Sequence, residues 1–186
     1  FGSNGRFYTL SCANLPGGRG MGEPIRLMVD LPNESEITDL FLHDPERKLL
    51  VASSAGDGFC VTESEIVAQT RTGKQVLNVK PGVSAVAARR VEGDSVAVVG
   101  ENRKLLVFPL DELPEMTRGK GVRLQKFKDG GLSDVRCFSL EEGLNWLDPA
   151  GRTRTVSAEE LVEWRGKRAG SGRMAPRGFP RDNKFN

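Results

Sequence analysis

One unit recurs along this chain: a tight turn, a short apolar strand, and then a basic loop rich in glycine. It opens at Asn4-Gly-Arg-Phe-Tyr-Thr-Leu10, again at Asp57-Gly-Phe-Cys-Val-Thr62, and again at Asn102-Arg-Lys-Leu-Leu-Val-Phe108. The loops that follow are Gly17-Gly-Arg-Gly-Met-Gly-Glu-Pro24, Thr70-Arg-Thr-Gly-Lys74 and Thr117-Arg-Gly-Lys-Gly-Val122. A weaker fourth copy runs from Gly151-Arg-Thr-Arg-Thr-Val156 to Arg165-Gly-Lys-Arg168. A period of about 45 to 55 residues signals blades or coils stacked in series, because one such unit cannot bury its apolar face alone. The fold expected is all-β, with about four blades or blade fragments.

Local chemistry supports that class. Runs rich in Val, Ile, Leu and Phe alternate with Gly, Pro, Asn and Asp clusters. They predict strands over 6–10, 26–31, 37–43, 49–53, 59–62, 66–70, 75–79, 85–90, 95–99, 104–109, 122–127 and 135–140. Asn4-Gly5, Asp57-Gly58, Thr72-Gly73 and Asp129-Gly130 predict hairpin turns. Ser157-Ala-Glu-Glu160 has the form of a capping box and predicts one short helix near 158–165. Residues 1–165 read as the blades, the first of them incomplete at its start. Residues 166–186 are Gly-, Pro- and Arg-rich with little apolar surface, and read as a flexible or surface-pinned tail.

The charge pattern narrows the function. Residues 1–150 hold 18 Lys/Arg against 21 Asp/Glu, whereas residues 151–186 hold 9 against 4. Positive charge therefore collects in the basic loops and the C-terminal stretch, where it can attract a polyanion. A phosphate needs a cation and backbone N–H groups that come close, and glycine beside arginine or lysine supplies both. The candidate contacts are Arg19, Arg26, Arg71, Lys74, Lys80, Arg118, Lys120, Arg123, Lys126, Arg165, Lys167, Arg168, Arg173, Arg177 and Arg181. Duplex DNA fits better than a single strand, because aromatic residues make up 6% of the chain and rarely neighbour these loops.

Other chemistries find little purchase. Gly18-Arg-Gly-Met-Gly22 lacks the dinucleotide spacing, and Gly119-Lys-Gly121 is not followed by Ser or Thr, so no nucleotide site is expected. Cys12, Cys60 and Cys137 are odd in number and widely spaced, which argues against a disulfide framework or zinc site and fits a reducing cytoplasm. His43 stands alone as a surface residue without triad partners. Glu63 and Glu65 read as a solvated sheet face. Tyr8, the one tyrosine, lies in an alternating strand and reads as structural. No catalytic residue, metal or cofactor is expected in this chain.

The longer motifs resemble a known family. Asn4-Gly-Arg-Phe-Tyr-Thr-Leu10 with Leu15-Pro-Gly-Gly-Arg-Gly-Met-Gly-Glu-Pro-Ile-Arg-Leu27 resembles a blade of the bacterial topoisomerase IV A subunits. Asn102 through Val122 resembles a later blade of the same subunits. The resemblance implies a C-terminal β-pinwheel of four-stranded antiparallel blades, partial or open, with duplex DNA bent along a basic rim to orient segments for strand passage. It implies decatenation, relaxation and chromosome segregation by an ATP-dependent type IIA topoisomerase, whose ATP, magnesium and cleavage tyrosine reside in other domains. The implied partners are duplex DNA, the E subunit, the remainder of the A subunit, plus condensin-type chromosome-organising proteins, in the cytoplasm at the nucleoid. Thr117-Arg-Gly-Lys-Gly121 is at most a shortened gyrase box, since Met116-Thr117 replaces its leading Gln-Arg, so full gyrase-like wrapping is not implied. The alternative reading is a propeller-like protein-docking module; an autonomous enzyme has the least support.

Overall fold

The computed structural model describes all 186 residues. Its strands are β1 (Arg6–Phe7), β2 (Lys48–Ser53), β3 (Asp57–Thr62), β4 (Lys74–Gln75), β5 (Ala85–Arg90), β6 (Ser95–Gly100), β7 (Lys104–Pro109), β8 (Val122–Arg123), β9 (Leu132–Phe138), β10 (Leu144–Leu147), β11 (Thr153–Val156) and β12 (Arg173–Met174). They form two four-stranded antiparallel sheets, ordered β5-β2-β3-β8 and β12-β7-β6-β9, flanked by the pairs β1-β4 and β10-β11. The array is an open β-pinwheel of two full blades and two partial ones.

Its topology follows one rule. Each central hairpin borrows its outer edge strand from the next repeat: β4 closes on β1, β8 on β3, and β12 on β7. The blades are thereby stitched together by backbone hydrogen bonds as well as by side-chain packing.

Period-2 patterning explains the packing, because alternate side chains of a strand face opposite ways. On β2 and β3, Leu49, Val51, Phe59 and Val61 pack with Phe1 and Phe7 of the first blade. Leu50, Ala52 and Cys60 turn the other way, onto Val96, Val98 and Phe108 of the third. Ala97, Val99, Leu105 and Val107 then face Leu144 and Trp146 of the fourth. Both faces of each full blade are thus buried, which accounts for strands that read as continuous apolar runs. Arg89 of β5 adds a polar tie, pairing with Asp39 from the first blade and with Asp134 of β9 at 3.0 Å.

Several expected strands are shorter or absent. Residues 26–31 contain a 3₁₀ turn, Ile25–Leu27, after Pro24. The Arg26 guanidinium holds this bend by donating to the carbonyls of Leu31, Pro32 and Ser35. Residues 66–70 follow another 3₁₀ turn, Glu63–Glu65. Glu63 is not on a solvated face: its carboxylate is fully buried and accepts from the Arg47 guanidinium and the Asp44 amide, with His43 3.6 Å away. A buried carboxylate needs such partners, and they draw the chain out of strand geometry. The turn before β3 takes its positive φ at Gly56 (86°), not at Gly58, which lies inside β3. A Cβ at Gly58 would sit 2.3 Å from the Val51 carbonyl oxygen, so its role is close cross-strand approach.

The capping box forms as expected. Ser157 N donates to Glu160 Oε2 at 2.9 Å and Glu160 N to Ser157 Oγ at 3.3 Å, opening the 3₁₀ helix Glu160–Trp164. Residues 166–186 carry β12 and then a strap that crosses the open side of the third and fourth blades. Phe179 and Phe185 are buried there, with Phe179 edge-on to Trp146 at 5.2 Å between ring centroids. Arg103, at φ 62°, donates to the carbonyls of Phe179 and Pro180, and Phe185 N donates to Asp134 Oδ2. At the other end of the array Phe1, Tyr8, Leu10, Leu31 and Phe41 line an apolar cleft.

Candidate nucleic-acid interface

The basic loops at 70–74 and 117–122 run into the borrowed edge strands β4 and β8, and backbone hydrogen bonds join neighbouring segments along these edges. At the first junction Asp30 N donates to the Arg71 carbonyl (2.9 Å), while the Arg71 side chain donates to the Leu27 carbonyl (2.8 Å) and pairs with Asp30. Beyond β4, Gly119 N donates to the Val76 carbonyl (3.0 Å) and Asn78 N to the Gly119 carbonyl (2.8 Å). Beyond β8, Ala169 N donates to the Leu124 carbonyl and Lys126 N to the Gly170 carbonyl. Residues 25–31, 70–79, 117–126 and 165–171 therefore form one continuous ribbon along the blade edges.

Along the ribbon the fifteen candidate cations divide into two groups. Four are engaged internally. Arg26 and Arg71 donate to backbone carbonyls, Lys74 Nζ donates to the Glu65 carbonyl, and Arg168 donates to the carbonyls of Glu112 and Arg123. Their hydrogen bonds tie the ribbon to neighbouring segments. The other eleven, Arg19, Lys80, Arg118, Lys120, Arg123, Lys126, Arg165, Lys167, Arg173, Arg177 and Arg181, are exposed and take part in none of the molecule's ion pairs.

Placement differs among these eleven. Arg118, Lys120, Arg123 and Lys126 follow one another along the β8 segment, with Arg165 and Lys167 on the neighbouring segment. Arg173 lies in β12, beside Leu105 of β7. Lys80 sits in the turn closed by Val83 N donating to its carbonyl. Arg19 stands on a wholly exposed loop ahead of the ribbon. Arg177 and Arg181 belong to the strap, where Arg181 shares a shallow hollow with Pro149 of the β10–β11 turn. Arg152 on that turn and Arg154 in β11 are both paired with Asp148 and absent from the candidates. Lys128, on the exposed turn leading to Asp129-Gly130, is a further cation that loop composition did not single out.

Cys60, Cys137 and Tyr8 have structural surroundings, while Cys12 is exposed. Burial pushes the Cys60 thiol up to about 11 and the Cys137 thiol to about 12, so neither forms the nucleophilic thiolate at neutral pH. The Tyr8 hydroxyl accepts from Asn4 Nδ2 at 2.9 Å. What the ribbon can do is electrostatic: hold phosphate groups with cations along the blade edges.

Residues 47–92 and 94–132 match the family model described as DNA gyrase C-terminal domain, beta-propeller. The A subunit of DNA topoisomerase 4 from Caulobacter vibrioides is 48% identical over 185 residues, covering 100% of this chain and 24% of that protein. Its counterpart of the same name from Rickettsia bellii is 46% identical over 98% of the chain and 24% of its own length. The chain thus spans about a quarter of the curated relatives it matches. Among solved structures, the C-terminal domain of Escherichia coli ParC superposes with a TM-score of 0.82 at 26% identity, over 97% of this chain and 76% of that one. A DNA gyrase A C-terminal domain superposes at 0.66 with 15% identity, over 92% of this chain and 57% of that one, a likeness of fold alone.

Proposed function

Because the chain belongs to the DNA gyrase C-terminal β-propeller family, among the C-terminal domains of topoisomerase IV A subunits, we propose that it binds and bends duplex DNA for strand passage. The observation that supports this reading is the continuous edge ribbon with its uncommitted cations. A row of unpaired, exposed cations along one edge costs self-repulsion and contributes nothing to the fold, whereas it neutralises phosphates along a duplex. Cations engaged internally hold the shape of the track, and free ones meet the backbone. Recognition of this kind is through the phosphates, so it tolerates sequence and selects duplexes that bend easily.

In the holoenzyme this domain orients DNA segments presented to the strand-passage machinery of an ATP-dependent type IIA topoisomerase, acting with the E subunit, as well as with the rest of its own chain. Decatenation and relaxation at the nucleoid are the outputs it serves, and the chain itself contributes no catalytic group, metal or cofactor. The test is duplex binding by the chain at graded salt. With six to ten phosphates neutralised, affinity falls about 10³- to 10⁵-fold between 50 and 200 mM salt. Equal affinity at both salts, or no binding at low salt, refutes the reading.

A second reading, docking of a chromosome-organising protein, is favoured by one face only. In the fourth blade Glu141, Glu142, Glu159 and Glu163 are exposed, as are Val162 and Leu147. Crosslinks in cells that join the Arg19, Lys74 and Lys120 loops to protein and never to DNA support docking against the DNA reading.

A further inference from the structure

The first basic loop differs from the others in one respect that phosphate binding does not explain. Residues 11–24 are exposed throughout, and Met21 at the tip is as exposed as in an extended chain. Gly17, Gly18, Gly20 and Gly22 have open space where a Cβ would lie, with no atom within 4 Å. Residues 17–22 therefore form an arm standing clear of the blades, while Cys12 and Leu15 behind it border the apolar cleft. The foot of the arm is firm: the three Arg26 bonds to the carbonyls of Leu31, Pro32 and Ser35, with the Arg71 bond to the Leu27 carbonyl, fix it to the start of the ribbon.

The loop at 116–121 provides an internal comparison. It too combines a methionine, an arginine and glycines, yet Met116 is partly buried against the core between the first two blades. Met21 has no such pocket. A single exposed apolar side chain is ordinary on a protein surface. Here it tops a glycine arm, two residues from the uncommitted Arg19 and ahead of a row of phosphate-binding cations. Four residues out and four back reach about 13 Å, beyond the roughly 7.5 Å depth of a minor groove. Glycines flanking the tip, at φ 111° and 72°, let the backbone close onto the groove walls.

Building on the DNA-binding reading, we propose that the arm enters the minor groove, with Arg19 lying along the floor and Met21 wedged against a base step. Apolar wedges of this kind unstack a step and kink the duplex toward the major groove, and arginine is drawn to narrow A·T-rich grooves. The arm then fixes where the bend begins, and the ribbon carries the duplex onward from it. The ligand class is a deformable A·T-rich duplex step.

The test uses the full 186-residue chain and duplexes of about four helical turns carrying 2-aminopurine at single TA steps. Anisotropy reads binding, 2-aminopurine fluorescence reads unstacking, and end-to-end energy transfer reads the bend. The unaltered chain is expected to raise fluorescence at one step. Met21→Ala should abolish the rise and reduce the bend, with affinity about tenfold weaker and an unchanged salt slope. Met21→Leu should restore all three. Because Met21 touches nothing in the fold, thermal melting of either variant should match that of the parent. Salt-dependent binding with silent fluorescence at every step overturns the wedge, leaves the ribbon standing, and reassigns the arm to a protein contact. No binding at low salt removes both readings.

Discussion

Replacing Arg118, Lys120 and Arg123 together by alanine isolates the electrostatic contribution of the second blade's edge. All three are exposed and have no ion-pair partner within the chain. Their removal should leave stability within about 0.5 kcal/mol, as for surface positions generally. Each phosphate contact contributes about 0.9 to the slope of log K against log salt, so losing three lowers the slope by about 2.7. Between 50 and 200 mM, a fourfold change, the variant should lose about 40-fold less affinity than the parent. Anisotropy titrations at four or more salt concentrations measure this, and a thermal melt supplies the control. An unchanged slope with an unchanged melt refutes the placement of duplex along this edge. Arg26→Ala is the contrasting variant: three backbone carbonyls lose their donor, so the melt should fall while the slope changes by less than one contact's worth.

Further outcomes concern the fold. Phe185→Ala should cost about 3–5 kcal/mol in urea unfolding, because this ring of the strap is fully buried beside Phe179. Arg47→Ala should lower the melting temperature far more than Lys48→Ala. The first leaves the buried Glu63 carboxylate without its guanidinium, whereas the second breaks an exposed pair with Glu115. The Arg152 amide, helped by that of Ala150, holds the Asp148 carboxyl below its ordinary value. A lowered folded-state value means the contribution is present above the unfolded value, near 3.9, and disappears as pH falls through the folded one. Asp148→Asn should therefore lower the melting temperature at neutral pH and flatten its decline in acid, as melts from about pH 2 to 7 will report.

Sequence pattern reached the class of fold and the repeat, because both rest on local signals. The turns at Gly5, Gly73 and Gly130 do take positive φ, and the Ser157–Glu160 box caps its helix turn as its spacing implies. What pattern could not reach is decided at long range. Whether Glu63 faces solvent depends on Arg47, sixteen residues away, and nothing local distinguishes it from Glu65. The borrowed edge strands are two residues long, too short to carry periodicity, and β12 occurs in a stretch whose composition reads as a tail. That stretch is ordered by two phenylalanines whose pockets lie on other blades. In the candidate interface, loop composition found the cations but could not separate Arg26, Arg71, Lys74 and Arg168 from the free ones. Arg71 and Arg168 reach carbonyls of distant segments, at Leu27 and Glu112, while Arg26 and Lys74 turn back on carbonyls five to nine residues away, which the path of the chain decides and composition does not.

The borrowing of edge strands also has a timetable. The β2–β3 hairpin is complete when Thr62 leaves the ribosome, yet its partner β8 is made about 60 residues later. At synthesis rates of about 5–20 residues per second, that edge stays open for about 3 to 12 s. An open edge is the usual template for pairing with a neighbouring chain. On a polysome, identical nascent chains present the same unfilled edge to one another, and the β8 of one could fill the gap in the next. The single Gly58–Asp57 register offered to β8 is only two residues long, so such mispairing gains little until the rest of the following blade has formed. A short edge strand is thus also a delay, holding the bond weak until the correct partner arrives attached to its own blade.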